Sequence, residues 1–304
     1  MEVVRGYRNA PRWAGAAVAI GNFDGVHVGH RALIARANQL GQRAVALTFD
    51  PHPSAVLSSH GAPPRLASLA RRLELLEIAG ADAVVVEPFS RDLACLAPDA
   101  FIDDVVIRAL QASAIVIGYD FTYGQGRAGT TEALRRHGAR VGVEVAIVEP
   151  VEVAGEVASS TKIRAHLAAG ELAAAERLLG RRWDIDGVVI HGAKRGRAIG
   201  VPTANLRPDS DLPLRPGIYA VTLSVEHDVL PAVASLGTNP TFVEHGGLVL
   251  EVHVLDFFGD LYDHHVRTTF VERLRDEAKY DSIEALLAQI ALDIEAARLA
   301  LAHG

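Results

Sequence analysis

Residues 20–30 read Ile20-Gly21-Asn22-Phe23-Asp24-Gly25-Val26-His27-Val28-Gly29-His30, and this stretch decides the fold of the first half of the chain. An apolar run, Ala16–Ile20, precedes it and fits a buried strand. A helical pattern over Ala32–Leu40 follows. A glycine-rich turn from strand to helix is where a parallel α/β sheet binds phosphate groups, because the free N–H groups of the first helical turn and the helix dipole favour an anion. Gly21, Gly25 and Gly29 allow a tight turn and close approach of the backbone to that anion. His27 and His30 stand three residues apart at the helix start, so both imidazoles can face one site. Such a pair suits a phosphate that gains negative charge during reaction. The plain alternative is a solvent-facing loop with two histidines. Strand, glycines and helix in that order weigh against it.

Working outward, strand and helix patterns alternate. Ala44–Phe49 and Ala83–Val86 read as strands, with helical periodicity over Leu66–Ala79 between them. Helix Pro98–Leu110, strand Ala114–Gly118, helix Thr130–His137 and strand Val143–Val148 continue the series. Helices Thr161–Leu167 and Leu172–Leu179 close it. Alternation of this kind predicts a parallel sheet covered on both faces. Past Gly180 the texture becomes β- and turn-rich: Asp184–His191, Gly217–Val225, Ala232–Leu236, Leu248–Asp256 and His265–Phe270 precede one last helix, Ser282–Ala302. That order predicts a small closed barrel with a helix packed outside it. The boundary is expected near Leu179–Arg182, giving domains 1–180 and 181–304.

The 304 residues suffice for two domains, and 49% hydrophobic content supplies their cores. No apolar run approaches the ~20 residues of a membrane span, and no secretory leader is expected. Net charge is −7 with no long basic run, which argues against nucleic acid as the main substrate. The single cysteine, Cys95, excludes an internal disulfide, fits a reducing cytoplasm and is expected in a core. The oligomeric state is left open.

Four further segments carry chemistry. Gly118-Tyr119-Asp120-Phe121-Thr122-Tyr123-Gly124 follows an apolar strand, at the end where ligands bind in such sheets. Asp120 can accept hydrogen bonds, and Phe121 and Tyr123 can pack on a flat ring; a turn with aromatic anchors explains the segment equally well. Ser159-Ser160-Thr161-Lys162-Ile163-Arg164 opens a helix. Its hydroxyls suit capping, which is compatible with phosphate binding, and Arg164 could grip phosphate oxygens bidentately. In residues 191–206, Gly192, Gly196 and Gly200 make a flexible loop, rendered cationic by Lys194, Arg195 and Arg197. The loop departs from the Walker A pattern but can still cradle phosphates through backbone N–H groups. Thr203 and Asn205, two residues apart in Pro202-Thr203-Ala204-Asn205, share a face of an extended segment and could supply oxygens to Mg²⁺. Taken alone this tetrapeptide is a turn. Glu251 and His253 point to one side of an alternating strand, where a carboxylate could accept a proton from an attacking hydroxyl; an ordinary exposed strand residue is the alternative.

The first run resembles the signature of the HxGH nucleotidyltransferases, in which the histidines bind ATP and stabilise a pentacovalent phosphorus. Taken with Phe49-Asp50-Pro51-His52-Pro53, Gly118–Gly124, Ser159–Arg164, Gly187–Leu206, Pro216–Tyr219, Leu236–Phe242, Leu250–Asp256, Asp260–Tyr262 and Leu274–Glu277, the whole chain resembles the bacterial bifunctional riboflavin kinase/FAD synthetases. The resemblance implies a Rossmann-like module followed by a six-stranded β-barrel. It implies phosphorylation of riboflavin by ATP to give FMN, and transfer of AMP from ATP to FMN to give FAD and pyrophosphate. On it, His27, His30, Arg164 and Glu251 become candidate catalytic residues. Gly21, Phe23, Asp24, Gly25, Ser159, Ser160, Thr161, Gly192, Lys194, Gly196, Arg197 and Gly200 become candidate ATP-binding residues. Asp50, His52, Asp120, Phe121, Tyr123 and Arg275 become candidate flavin-binding residues, with Thr203 and Asn205 for Mg²⁺. Asp263-His264-His265 and Thr238-Asn239 depart from the pattern seen in many members. The adjacent histidines face opposite ways in a strand and read as a solvated turn rather than a metal site. A single-activity adenylyl- or cytidylyltransferase with an accessory barrel would need the Thr203–Asn205 and Glu251 constellation to be accidental, and a flavin or nucleotide sensor with a decayed site is disfavoured because the residues chemistry needs are present in both halves.

Overall fold

A computed structural model describes residues 1–302 except 60, 193–195, 197–198 and 239–247. The chain divides into two compact units: Met1–Pro63 with Leu69–Ser159, and Pro64–Ser68 with Ser160–Gly304.

The first unit is built on a parallel sheet. Its strands are β1 (Glu2–Arg5), β2 (Ala16–Ile20), β3 (Arg43–Phe49), β4 (Ala83–Glu87), β5 (Ala112–Gly118) and β6 (Glu144–Val148), in the order β1-β4-β3-β2-β5-β6. Helices α1 (Val28–Leu40), α2 (Pro53–Leu57), α3 (Leu69–Ile78), α4 (Arg91–Ala94), α5 (Pro98–Phe101) and α6 (Thr131–Val141) connect them, and α5 runs on into a π-helical segment, Ile102–Ala109. A sheet covered on both faces explains the unbroken apolar strands. Val18, Ile20, Leu47 and Ile115 face Phe101 and Val105, whereas Ala17, Ala19, Ala44, Ala46 and Ala114 face Ile34 of α1 and Leu75 and Leu76 of α3. The alanines on this second face let the helices approach closely. Beyond β6, β7 (Glu152–Val153) and β8 (Glu156–Val157) form a hairpin on a two-residue turn with positive φ at Ala154 and Gly155.

β2 lies between β3 and β5, so the chain leaves it to one side and later returns on the other. The crevice outside the carboxyl end of such a strand is where ligands bind in open α/β sheets. The loops after β2, β3 and β5 all open there.

The second unit holds α7 (Ser160–Ala169), α8 (Leu172–Leu179) and strands β9 (Asp184–Ile190), β10 (Ala204–Pro208), β11 (Gly217–Val225), β12 (Asp228–Thr238), β13 (Leu248–Val254) and β14 (His265–Arg275). The strands close an antiparallel barrel in the order β10-β13-β12-β11-β14-β9, and α9 (Ile283–Ala302) follows. Leu206, Ala234, Leu236, Leu250 and Val252 are buried in this unit, as are Tyr219 and Phe270.

The structure departs from the sequence reading in several places. Strand β1 is short and mostly exposed, so it carries no apolar signal, yet it pairs along β4. The helix expected from Leu66 starts at Leu69, because Leu66 is buried in the second unit and its carbonyl accepts the Trp183 indole N–H at 2.9 Å. Cys95 is exposed rather than in a core. The split between compact units falls at 159/160, with α7 and α8 joining the barrel. His264 does lie in a turn, but His265 opens β14, and its Nε2 sits 2.6 Å from Asp209 Oδ2.

Candidate active sites

The turn after β2 is strained. Phe23 (φ 52°), Gly25 (φ 77°) and Val26 (φ 42°) all have positive φ, and Val26 is a β-branched residue that rarely adopts it. Strain of this kind persists only where surrounding structure holds it and tends to mark functional sites. Phe23, Asp24 and Val26 are buried.

His27 is the N-cap of α1. Its Nδ1 accepts from the Gly29 N–H at 3.1 Å and the His30 N–H at 3.4 Å, so the ring proton sits on Nε2. Burial lowers its pKa to about 4. The His30 ring stacks on it, with centroids 3.7 Å apart and planes at 21°, and Phe23 meets His30 edge-on at 5.3 Å. Burial, the neighbouring His27 and the Arg72 guanidinium hold the His30 pKa well below its usual value. Its Nδ1 is shut from water and has no hydrogen-bond partner among the described residues. In the unliganded protein the pair is therefore two neutral, stacked imidazoles. His27 occupies two of the first-turn amides, so an anion here meets imidazole N–H groups rather than those amides. Gly29 serves this arrangement as well: a Cβ there would stand 3.1 Å from His27 Cε1.

Two more loops open at the same sheet edge. Asp50, after β3, faces the Arg72 guanidinium at 3.5 Å, the Asp50–Pro51 peptide is cis, and His52 caps α2 by accepting the Ser54 N–H at 3.2 Å. After β5, Asp120 is exposed and Phe121 half-buried. Tyr123 is buried, packed on Phe121 and Phe101, and burial raises its phenol pKa to about 12. Its ring belongs to the core, which leaves Phe121 and Asp120 as the accessible part of that segment. Ser159 ends the first unit, while Ser160, Thr161 and Arg164 belong to α7 of the second, where Arg164 Nε donates to the Pro64 carbonyl at 2.6 Å.

In the barrel, Asn205 and Glu251 are direct cross-strand partners, and Ser235 is the next partner of Glu251. All three are half-buried and alternate with the buried Leu206, Leu250 and Leu236, so they share the outward face. A Cβ on Gly192 would collide with the Asn205 amide, and one on Gly196 would stand 3.3 Å from Thr203 Oγ1. Both glycines are thus tightly packed, Gly192 on the Asn205 amide and Gly196 on the Val201 carbonyl, with which a Cβ would collide. His253 Nδ1 lies 2.7 Å from the Pro202 carbonyl, to which it must donate, and so anchors the Pro202–Asn205 turn. A cavity of about 80 Å³ lies between Pro202–Ala204, Val252 and Phe257–Tyr262. A larger open hollow, about 600 Å³ beside Arg182, Glu272 and Leu299, contains none of the expected site residues. Gly200 has φ 84°. Lys194, Arg195, Arg197 and the segment Asn239–Phe242 lie outside the described residues. Arg275 does not point freely outward: it grips Asp293 of α9 bidentately, Nε–Oδ1 2.7 Å and Nη2–Oδ2 2.6 Å.

Comparison with known proteins now decides between the readings. The FAD synthetase family matches residues 9–162 and the riboflavin kinase family matches residues 179–301. The bifunctional riboflavin kinase/FMN adenylyltransferase of Pseudomonas fluorescens is 39% identical over 303 residues, covering 98% of this chain and 97% of the relative. The chain belongs to that family. The protein of the same description from Escherichia coli K12 is 37% identical over 306 residues, again covering 98% and 97%. A solved structure described as a macrolide-efflux protein from Streptococcus pneumoniae matches with TM-score 0.88 at 31% identity, covering 98% of this chain and 99% of that one. No helix among the described residues is long and apolar enough to cross a membrane. The enzyme uses ATP in two reactions of flavin-cofactor synthesis, with riboflavin and FMN as small-molecule substrates.

Three residues of the sites escaped the sequence reading or were given another part. Arg72 of α3 is buried and reaches the loops after β2 and β3. Ser235 enters only through barrel register. His253 shares the face of Glu251, as expected, and in addition holds the Pro202–Asn205 turn. The Arg72 signal was present: three residues after Leu69 and four before Leu76, it falls on the inward face of its helix.

Proposed function

We propose that the first unit transfers AMP to FMN and the barrel unit phosphorylates riboflavin, each with its own donor set. One observation carries the division: the stacked imidazoles stand at the switch point of the parallel sheet, while the Asn205–Glu251 pair stands on the barrel. In adenylyl transfer, a phosphate oxygen of FMN attacks the α-phosphorus of ATP, and the bond from that phosphorus to the bridging oxygen of pyrophosphate breaks. His27 and His30 donate from imidazole N–H to the α-phosphate oxygens, where negative charge builds. Ser159, which ends the first unit, binds the β- and γ-phosphates. Asp50, His52, Asp120 and Phe121 orient the flavin.

In the kinase reaction the riboflavin 5′-hydroxyl attacks the γ-phosphorus and ADP leaves. Glu251 receives the hydroxyl proton as the bond forms. Thr203 and Asn205 are hard oxygen donors two residues apart on one extended segment, which fits Mg²⁺ bound by few protein groups together with nucleotide phosphates. When bound, Mg²⁺ neutralises phosphate charge. The single exposed cysteine fits a reducing cytoplasm. The test is to incubate the protein with riboflavin, ATP and Mg²⁺ and resolve FMN from FAD. His30→Ala should cut FAD formation by ~10²–10³ and leave FMN formation unchanged. Equal loss of both products in a folded variant refutes the division.

A further inference from the structure

Arg72 is 6% exposed, and its guanidinium joins two loops of the first unit. Its Nη1 donates to the Asn22 carbonyl at 2.9 Å, the Phe49 carbonyl at 3.3 Å and Thr48 Oγ1 at 3.4 Å, while Nη2 faces Asp50 Oδ1 at 3.5 Å. The Asn22 carbonyl takes a second hydrogen bond from Thr48 Oγ1 at 3.1 Å. Asn22 directly precedes the strained run Phe23–Val26, which leads into His27. Asp50 begins the cis-proline turn that leads to His52. One charged, planar group thus holds the origin of the histidine loop against the end of β3. A guanidinium is suited to this because its donors diverge in a fixed fork.

We propose that Arg72 is a positioning residue for adenylyl transfer: it pins the Asn22 carbonyl to the Phe49–Asp50 turn and so fixes the loop that carries His27 and His30. It does not touch the reacting phosphates. Its effect reaches them through the backbone of residues 22–27, where the strained dihedrals would relax once the Asn22 carbonyl lost its main donor. A displacement of about 1 Å of a catalytic group can cost ~10²-fold in rate. The inference rests on the roles proposed above for the two histidines.

The test uses the full-length protein and follows FAD formation from supplied FMN, with kcat and KM separated, and FMN formation from riboflavin as the internal control. Arg72→Met should lower kcat for FAD formation ~10–100-fold with KM for ATP and FMN within about threefold, and FMN formation should stay at wild type. Arg72→Lys, which restores the charge but not the divergent fork, should recover only part of the loss. Arg72→Met added to His30→Ala should cost little beyond His30→Ala alone, because both act through one loop. A folded Arg72→Met with wild-type kcat overturns the proposal, as does a loss confined to KM. Should Arg72→Met fail to fold, Arg72→Leu removes the same donors with a different side-chain shape, and wild-type kcat in either Arg72→Leu or Arg72→Lys overturns the proposal. If His30→Ala itself is wild type, the reading of the histidines fails. If His30→Ala is impaired while Arg72→Met is not, only the present inference fails.

Discussion

Asn205 and Glu251 stand directly opposite each other on neighbouring antiparallel strands, β10 and β13, with Ser235 of β12 next in the same row. Side chains so paired have Cβ atoms ~5 Å apart on one face. The amide proposed for Mg²⁺ and the carboxylate proposed as base therefore share one patch of barrel wall, although 46 positions separate them in the chain. Barrel closure brings them together. No local motif could.

Glu251→Gln keeps shape and hydrogen bonding but removes the base. FMN formation should fall by ~10²–10⁴ with modest change in ATP affinity. Asn205→Ala should instead weaken Mg²⁺–ATP binding, seen as a raised KM for the complex. FAD formation from supplied FMN should survive both. A Glu251→Gln enzyme that phosphorylates riboflavin at wild-type rate removes Glu251 from the mechanism.

Gly29 leaves little room for a side chain. Its absent Cβ would press on the His27 ring at Cε1 and Nδ1, 3.1 and 3.2 Å away. Gly29→Ala should rotate that ring away from the amides it caps, costing about 1 kcal/mol of helix stability. FAD formation should drop at least ~10-fold while FMN formation holds. Steady-state assays of both products decide it, and unchanged FAD formation would show that the ring adapts.

The buried His27 makes the free first unit sensitive to acid. Its folded pKa of about 4 lies below the ordinary 6.5, so unfolding takes up a proton between those values. Stability is then full above about pH 6.5 and is lost as pH falls toward 4, by ~3 kcal/mol from this residue. Trp13 lies in the first unit and Trp183 in the second, so Trp13 fluorescence in a Trp183→Phe background reports the relevant unfolding. His27→Asn keeps a capping oxygen but cannot titrate, and should flatten the pH dependence of the urea midpoint. A slope unchanged by His27→Asn would assign it to other groups.

The strand–turn–helix around His27 was legible because its signals are local: an apolar run, glycines and helical spacing lie within 25 residues. The barrel was legible as a class, since successive strands with turns leave few alternatives. Register was not, so Ser235 and the bond from His253 to the Pro202 carbonyl stayed hidden. Arg72 was hidden for another reason. Periodicity treats charge as an outward mark, and a buried arginine satisfied by carbonyls breaks that rule. Tyr123 shows the converse: an aromatic near a ligand crevice became core because Phe101 and Gly129 close around it.

Arg275 joins β14 to α9 rather than standing ready for a flavin. Its fork is matched to Asp293, itself only 5% exposed, and Gln289 donates to the same carboxylate at 3.0 Å. Removing one member of such a pair leaves the other buried and uncompensated, at a cost of about 3 kcal/mol. Arg275→Ala should therefore lower the unfolding midpoint of the barrel unit, read from Trp183 fluorescence in urea. Asp293→Ala should do the same, and the double variant should be less destabilised than the sum of the singles. Additive losses would mean that the two side chains act independently.

The position of the compact split predicts how the kinase can be cut out. A fragment beginning at Arg181 matches the change of texture in the sequence but discards α7 and α8. Those helices bury Leu167, Ala175, Leu178 and Leu179 in the second unit, and the Leu167 carbonyl accepts the Arg215 N–H at 3.0 Å. Deleting the three buried leucines alone forfeits several kcal/mol, at roughly 1.5–3 kcal/mol each. A fragment beginning at Ser160 should accordingly melt higher than one beginning at Arg181 by well over ~5 °C. Both should make FMN, because β9–β14 remain, and neither should make FAD, because the sheet carrying His27 and His30 is gone. Equal melting temperatures would place the boundary near residue 180 after all. FAD from either fragment would break the assignment of one activity to each unit.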